Sequence, residues 1–501
     1  MTTAITLEDI TFTYAGADQP ALKRLSFDVP IGQICAVIGH SGAGKSTLCA
    51  LCTGFIPNFY QGHITGLIHI NGEDAITNDV ATLIRHVGLV SSDPHSQISG
   101  ACFTVYEELG FGLENIGLPR DKIEQRIEWA LQHFRLDAQR DQSPYDLSGG
   151  QLQRLILAAI VVMQPPVLVL DEPTAHLDPF AAQDLAQILR DLSSRGTTIL
   201  LTEPRLAWAA TVAERIITLE QGSIVTDEEN ETLRVAPKTP QNSPFHTNRS
   251  SLLPFLEGQT QVWVETLKVA DQTAPIVQLD GVHFAYSDQT EVLRDISFQI
   301  RPGERVALLG ENGVGKSTLV QHLNGLLLPT RGFVYVAGTR TTDTTVAQCA
   351  RHVGIVFQDT RNQLFARTVR DELLFGPRNL GYNPADTKIL IDEALEILGL
   401  TEVAAAHPYD LSLPQRRFVA IAAVLTLNSQ LLVLDEPTAG MDDAGLQRLK
   451  ILIEKLTTQG KSVLVVSHDP AFCLEIADRV MVLDPKGLAF YTNPKSNTPR
   501  P

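Results

Sequence analysis

Short runs of β-branched and other apolar residues alternate along this chain with longer stretches of mixed character. "ICAVIG" is followed by "KSTLCALCTG", and "VLVLD" by "FAAQDLAQILRDLSS" and then "TTILLT". Brief apolar runs without alternation read as strands buried on both faces, and the helical stretches between them make those strands parallel. The pattern predicts an α/β fold with a largely parallel sheet wrapped by helices. An antiparallel part precedes it, and a helical insertion is expected around 105–145, matched at 369–409.

The pattern occurs twice. "LEDITFTYAG" at Leu7 returns as "LDGVHFAYSD" at Leu279, and "GHSGAGKSTL" at Gly39 as "GENGVGKSTL" at Gly310. "RHVGLVSSDP" at Arg85 returns as "RHVGIVFQDT" at Arg351, and "VLVLDEPTAHLD" at Val167 as "LLVLDEPTAGMD" at Leu431. Order and spacing are kept, so the chain is a tandem duplication of one domain. The expected domains are 1–228 and 276–485. Between them a polar, proline-rich stretch over 229–275 reads as a linker, within which "FLEGQTQVWVETLKV" has the makings of a short docked strand. Residues 486–501 read as a mobile tail.

Composition narrows the classes. Of 501 residues, 44% are hydrophobic and 19% charged, which suits a globular chain with a sizeable core. The longest apolar run, Leu155 to Met163, is far shorter than the roughly 20 residues a membrane span requires. The first residues lack a basic segment followed by an apolar one, so a cytoplasmic protein is expected. A net charge of −17 argues against a nucleic-acid coat. Cys49 and Cys52 form the one Cys-x-x-Cys pair and have no second pair to complete a zinc site, so they read as buried thiols on one helix face.

The chemistry lies in the repeated motifs. Gly39, Ser41, Gly42, Gly44, Lys45, Ser46 and Thr47 belong to one phosphate-binding loop. Gly310, Asn312, Gly313, Gly315, Lys316, Ser317 and Thr318 belong to the other. Each follows an apolar strand and opens a helix, so backbone N–H groups close around phosphate oxygens and the helix N-terminus favours the anion. The lysine reaches the terminal phosphates and the serine holds Mg²⁺. Each "LDEP" ends a buried strand, so Asp171 and Asp435 should face Mg²⁺. Glu172 and Glu436, one step on, are placed to act on an attacking water.

"LSGGQ" with "LDEPTAHLD" resembles the ATPase domain of ABC transporters, a P-loop NTPase fold, over nearly the whole chain outside the linker. The resemblance implies two ATP molecules sandwiched head to tail within one chain, each between the phosphate loop of one domain and the signature loop of the other. It also implies that Tyr14 and Tyr286 stack on adenine. The family's Q-loop glutamine, a further Mg²⁺ neighbour, matches Gln358; the first half has Ser92 there. The switch histidine matches His468, where the first half has Glu203 of "LLTEP". The intact signature is Ser148, Gly149, Gly150 and Gln151. Its second copy keeps Ser412 and Gln415 but replaces the glycines by Leu413, which adds bulk, and Pro414, which has no N–H to donate.

All these losses fall on one composite site, that of Lys45, Ser46, Asp171 and Glu172 with the altered signature. The other, Lys316, Ser317, Gln358, Asp435, Glu436 and His468 with the intact signature, is complete, so the expectation is one hydrolysing site and one degenerate site. After the Q-loop, "SQISGACFTVYEELGFGLENIGLP" and "NQLFARTVRDELLFGPRNLGYNP" are similar to the ATPase subunits of energy-coupling factor importers and of cobalt and nickel importers. That resemblance implies vitamin or metal-ion uptake, with a membrane scaffold (T) subunit and a substrate-binding membrane (S) subunit as partners at the cytoplasmic face of the membrane. Glu107, Glu108, Asp371 and Glu372 would meet basic residues of the scaffold. The alternatives are the ATPase of a sugar or peptide importer, and a translation-associated tandem ABC protein. The second would want a basic helical linker and two good signatures, and this chain has neither.

Overall fold

The computed structural model describes residues 3–175, 177, 179–230, 261–262, 274–286, 291–310, 313–360, 363–484 and 487–492. The chain divides into two compact units. One is Met1–Asn242 with Gly440–Asp443, and the other is Ser243–Ala439 with Ala444–Pro501.

In the first unit a six-stranded sheet has the order Ser223–Glu229, Arg215–Glu220, Ile34–Ile38, Thr198–Glu203, Val167–Asp171, Val87–Val90. Its pairings are parallel except that of the first two strands. A four-stranded antiparallel sheet joins Leu22–Pro30, Thr3–Tyr14, Gly62–Ile70 and Glu73–Asp74. One core cluster fills the space between the antiparallel sheet and the main sheet, around Phe12, Leu48, Val169 and Leu200. A second packs the helices over Ile156, Leu170, Leu189 and Leu201. Consecutive residues of Val167–Asp171 serve opposite clusters and all are buried, which is why the strand reads as an unbroken apolar run.

The second unit repeats the plan. Its antiparallel sheet runs Glu291–Ile300, Val277–Ala285, Arg331–Val336, Thr339–Arg340. Its main sheet is Gly487–Thr492, Arg479–Asp484, Arg305–Leu309, Ser462–Val466, Leu431–Asp435, Val353–Val356, with Gln261–Val262 at the edge. Residues 487–492, expected to begin a tail, pair antiparallel with Arg479–Asp484 because alternate side chains, Leu488 and Phe490, pack against the core. Gln261 and Val262 pair with Thr492 and Tyr491, inside the stretch expected to dock as a strand. Most of the expected linker lies outside the described residues.

The helical insertions are present in both units, as Val105–Asn115 with Arg120–His133 and as Val369–Asn379 with Pro384–Leu398. Thr104 caps its helix through a reciprocal pair with Glu107, and Thr368 accepts from Asp371 N. Cys49 and Cys52 are buried in the helix Lys45–Cys52, where desolvation pushes Cys52 up to about 12 and Cys49 well above its ordinary value. Among the described residues, no helix is long and apolar enough to cross a membrane.

Candidate active site

Each phosphate loop links a buried strand to a helix. Gly44 and Gly315 cap the helices Lys45–Cys52 and Lys316–His322 at φ 103° and 105°, a left-handed conformation that only glycine adopts without strain. A Cβ at Gly44 would also lie 2.7 Å from Ala21 O. Lys45 Nζ donates to Gly39 O at 2.7 Å and Lys316 Nζ to Gly310 O at 2.8 Å, so each lysine folds back over its own loop. Gly42 and Gly313 have positive φ at the loop crests. Asn312 lies outside the described residues. The Tyr14 and Tyr286 hydroxyls lie 3.1 Å from Thr47 Oγ1 and Thr318 Oγ1, which sets both rings beside the phosphate-loop helices.

The acidic pairs end buried strands as expected, and Glu172 and Glu436 share a left-handed backbone, φ 48° and 49°. Their surroundings differ. In the first unit Glu172 Oε1 pairs with Lys45 Nζ at 3.2 Å. Burial raises its pKa, opposed by the lysine. In the second unit Glu436 Oε2 lies 2.8 Å from His468 Nδ1 and accepts from His468 N at 3.3 Å, while Lys316 Nζ is 3.8 Å from Oε1. Burial alone would raise Glu436, but the charge and hydrogen bond of His468, with Lys316, outweigh it and hold the carboxyl below its usual range.

The neighbouring aspartates diverge as well. Asp171 Oδ1 accepts from Thr202 Oγ1 at 2.7 Å. The sheet register opposes Asp171 to Thr202 and Asp435 to Val466, which has no hydroxyl to offer. Asp435 Oδ1 is therefore buried without a hydrogen-bond partner among the described residues. Burial pushes Asp435 up to about 6 against a hydrogen bond from Ser317.

The same register corrects the alignment of the switch position. Val37 pairs with Thr202 and Ile38 with Glu203, as Leu308 pairs with Val466. Glu203 is thus the counterpart of Ser467, and Pro204 falls where the second unit has His468. The threonines agree: Thr174 Oγ1 donates to Glu203 Oε1 at 2.7 Å, and Thr438 Oγ1 lies 3.3 Å from Ser467 Oγ. Glu203 is wholly buried and desolvation pushes it up to about 8, so it is largely neutral at pH 7. A like-charge clash between Glu203 and a phosphate therefore does not follow.

Both signature segments form helix starts. Ser148 caps Gly149–Val161 and Ser412 caps Leu413–Leu425, each through a reciprocal pair with the glutamine three residues on. Pro414 occupies the first turn, where the missing N–H would have no intrahelical partner, so the helix survives the substitution. A Cβ at Gly150 would meet only Leu177 and Ala181 at ordinary contact distances, so packing within its unit does not demand the glycine. Gln358 is exposed on the loop after Val353–Val356, and Ser92 is half-buried at the matching place. Ser46 is exposed and Ser317 half-buried.

The acidic residues of the helical insertion are not arranged as expected. Glu108 is buried and accepts from Ser99 N and Oγ, both at 2.7 Å. Glu372 is likewise buried against Phe365 N and Ala366 N. Glu107 and Asp371 are exposed but engaged at helix caps. Aromatic rings are exposed instead: Phe103, Phe111 and Tyr145 in the first unit, and Phe365, Phe375 and Tyr409 in the second.

Sequence reasoning missed three features. Thr202 stood in a quoted strand motif and Val466 two residues before His468, but only the register set them against the aspartates. The matched Phe111 and Phe375 were visible in the repeat, and their exposure was not. Arg417 enters the second site from the signature helix. It is buried, and desolvation pulls its pKa down to about 10, so it remains a cation.

Comparison with known proteins accords with this geometry. The ABC transporter family profile matches residues 22–175 and 293–439, more than half of the chain. A putative ABC transporter ATP-binding protein from Caldanaerobacter subterraneus is 32% identical over 96% of this chain and 89% of its own. The putative HMP/thiamine import ATP-binding protein YkoD of Bacillus subtilis is 31% identical over 98% and 91%. Among solved structures, cbiO1 from Clostridium perfringens, part of the ABC transporter complex cbiONQ, is 33% identical, covering 44% of this chain and 89% of that one, at a TM-score of 0.41. A structure of ribosome-bound archaeal Pelota and ABCE1 shares the fold at a TM-score of 0.65 and 22% identity, over 94% of this chain and 76% of that one. With two phosphate loops, two acidic strand ends and two signature helices in tandem, the chain belongs to the ABC transporter family of ATP-binding proteins and is an ABC transporter ATPase.

Proposed function

We propose that the chain is the ATPase subunit of an energy-coupling factor type importer, with one hydrolysing site, in the second unit, and one site that holds ATP with little turnover. The observation that carries the asymmetry is the Glu436–His468 pair at 2.8 Å behind the second phosphate loop. Its counterpart, Glu172, is paired with Lys45 instead.

Mg²⁺ fits the second site, because Asp435 Oδ1 is a buried acceptor in want of a partner. Ser317, Asp435 and the Q-loop Gln358 would hold the ion. When bound, it draws charge from the phosphate oxygens. In the first site Ser46 and Asp171 would hold it, although Thr202 already occupies Asp171 Oδ1. Lys316 and the N–H groups of Gly313, Gly315 and Ser317 bind and orient the terminal phosphates. Glu436, kept ionised, takes a proton from the attacking water, and His468 fixes its carboxylate. We further propose that Ser148, Gly149, Gly150 and Gln151 serve turnover at the second site, a role supported by the absence of any packing need for Gly150.

The import reading draws on YkoD, named for HMP/thiamine import. Membrane partners would then dock on the aromatic surfaces around Phe111 and Phe375, rather than on the acidic residues, at the cytoplasmic face of the membrane. Capture of the full chain from detergent-solubilised membranes tests this. Copurifying small integral membrane proteins, lost in a Phe111→Asp, Phe375→Asp double variant, are expected; copurifying ribosomal RNA would overturn it.

A further inference from the structure

The altered second signature leaves a question: what keeps its helix, Leu413–Leu425, engaged once its glycines are gone? Arg417, on the second turn of that helix, is only 3% exposed. Among the described residues its guanidinium ends on main-chain carbonyls, not on a carboxylate. Nη1 donates to Glu436 O at 3.0 Å, Ala439 O at 2.5 Å and Pro437 O at 3.5 Å, and Nη2 to Gln358 O at 3.4 Å. One planar group thus holds the main chain on both sides of the catalytic loop: the residue proposed as base, the turn after it, and the Q-loop glutamine.

Glu436, like Glu172, has a backbone that its surroundings must hold, and in the second unit Arg417 is among them. The left-handed backbone of Glu436 is sparsely populated for a non-glycine residue and persists only when its surroundings enforce it. Arginine suits this task, since its rigid fork of five donors spans several carbonyls at once, whereas lysine offers a point charge and glutamine two donors. The duplication supplies the comparison. Counting from the capping serines Ser148 and Ser412, the same helix position in the first unit is Gln153, also buried.

We propose that Arg417 is a positioning residue for ATP hydrolysis in the second unit, fixing the Glu436 and Gln358 main chains, so that the altered signature helix retains a function within its own unit. This rests on the reading of Glu436 as the base. The test compares Arg417→Gln, the first-unit residue, with Arg417→Lys in the full chain, measuring steady-state ATPase and equilibrium binding of a fluorescent ATP analogue. Displacement of a catalytic group by about 1 Å commonly costs on the order of 100-fold in rate. Arg417→Gln should lower kcat at least roughly tenfold, with KM and nucleotide affinity changed less than about twofold; Arg417→Lys should recover only part of the rate. Wild-type kcat in Arg417→Gln, or loss of nucleotide binding in step with kcat, would overturn the proposal. Should Arg417→Gln not fold, a folded Arg417→Lys with wild-type kcat overturns it equally. Glu436→Gln separates the two readings: if that variant still turns over, the assignment of the base fails; if it is inactive while Arg417→Gln is normal, only the role of Arg417 falls.

Discussion

The two acidic strand ends share their backbone down to the left-handed glutamate and differ in the side chains around it. The first unit sets Thr202, Glu203 and Pro204 where the second has Val466, Ser467 and His468. As a result the two glutamates are shifted in opposite directions, Glu172 up and Glu436 down. On the proposed reading, a nucleotide-binding frame and a hydrolytic site are separable. The frame needs the phosphate loop and the strand. The hydrolytic site needs a partner that keeps the buried carboxylate ionised and aimed.

Several substitutions break or sharpen that contrast. The largest effect is expected for Glu436→Gln, which should cut steady-state ATPase about 10²–10³-fold, the usual cost of one preorganised group. Glu172→Gln should leave most of the rate. Gly150→Asp places a charge in the intact signature and should lower turnover about a hundredfold, the lower end of the cost of losing one preorganised donor. Leu413→Gly with Pro414→Gly, in the other signature, should change the rate little, measured in the same assay.

Smaller effects concern Glu203. A carboxyl whose folded pKa is raised from 4.5 to about 8 stays protonated in the folded chain while the unfolded chain ionises, so it erodes stability as pH climbs between those values. Glu203→Gln should therefore flatten the pH dependence of Tm from pH 5 to 9, with its greatest relative gain at the alkaline end. The smallest effect is expected for Thr202→Val, which copies the second unit and frees Asp171 Oδ1. It should strengthen Mg²⁺-dependent nucleotide binding at the first site by about two- to threefold, the scale of a single net hydrogen bond, read by titration in the Glu436→Gln background.

Much of this arrangement was legible in the sequence. The duplication, the parallel core, the helical insertions and both phosphate loops followed from motif order and apolar runs, because each is written in consecutive residues. What escaped was set by register and exposure. Glu203 was matched to His468 by reading along the strand, and only the pairing of Ile38 with Glu203 moved it by one place. Glu108 and Glu372 looked like surface charges, yet each folds inward to satisfy backbone N–H groups of the preceding loop. An acidic residue one step after a helix-capping pair faces the core or the solvent according to helix phase, which letter patterns alone did not resolve. Residues 487–492 looked like a tail because a short strand that runs into a polar, proline-bearing stretch carries little periodic signal.

The most direct test of the asymmetry counts products on the protein. The full chain is loaded with two equivalents of ATP and Mg²⁺, unbound nucleotide is removed, and bound ATP and ADP are quantified over time after a rapid acid quench. One ADP and one persisting ATP per chain are predicted, with the ADP absent from Glu436→Gln and retained in Glu172→Gln. Conversion of both equivalents at one rate, or equal loss of ADP in the two variants, would contradict the account.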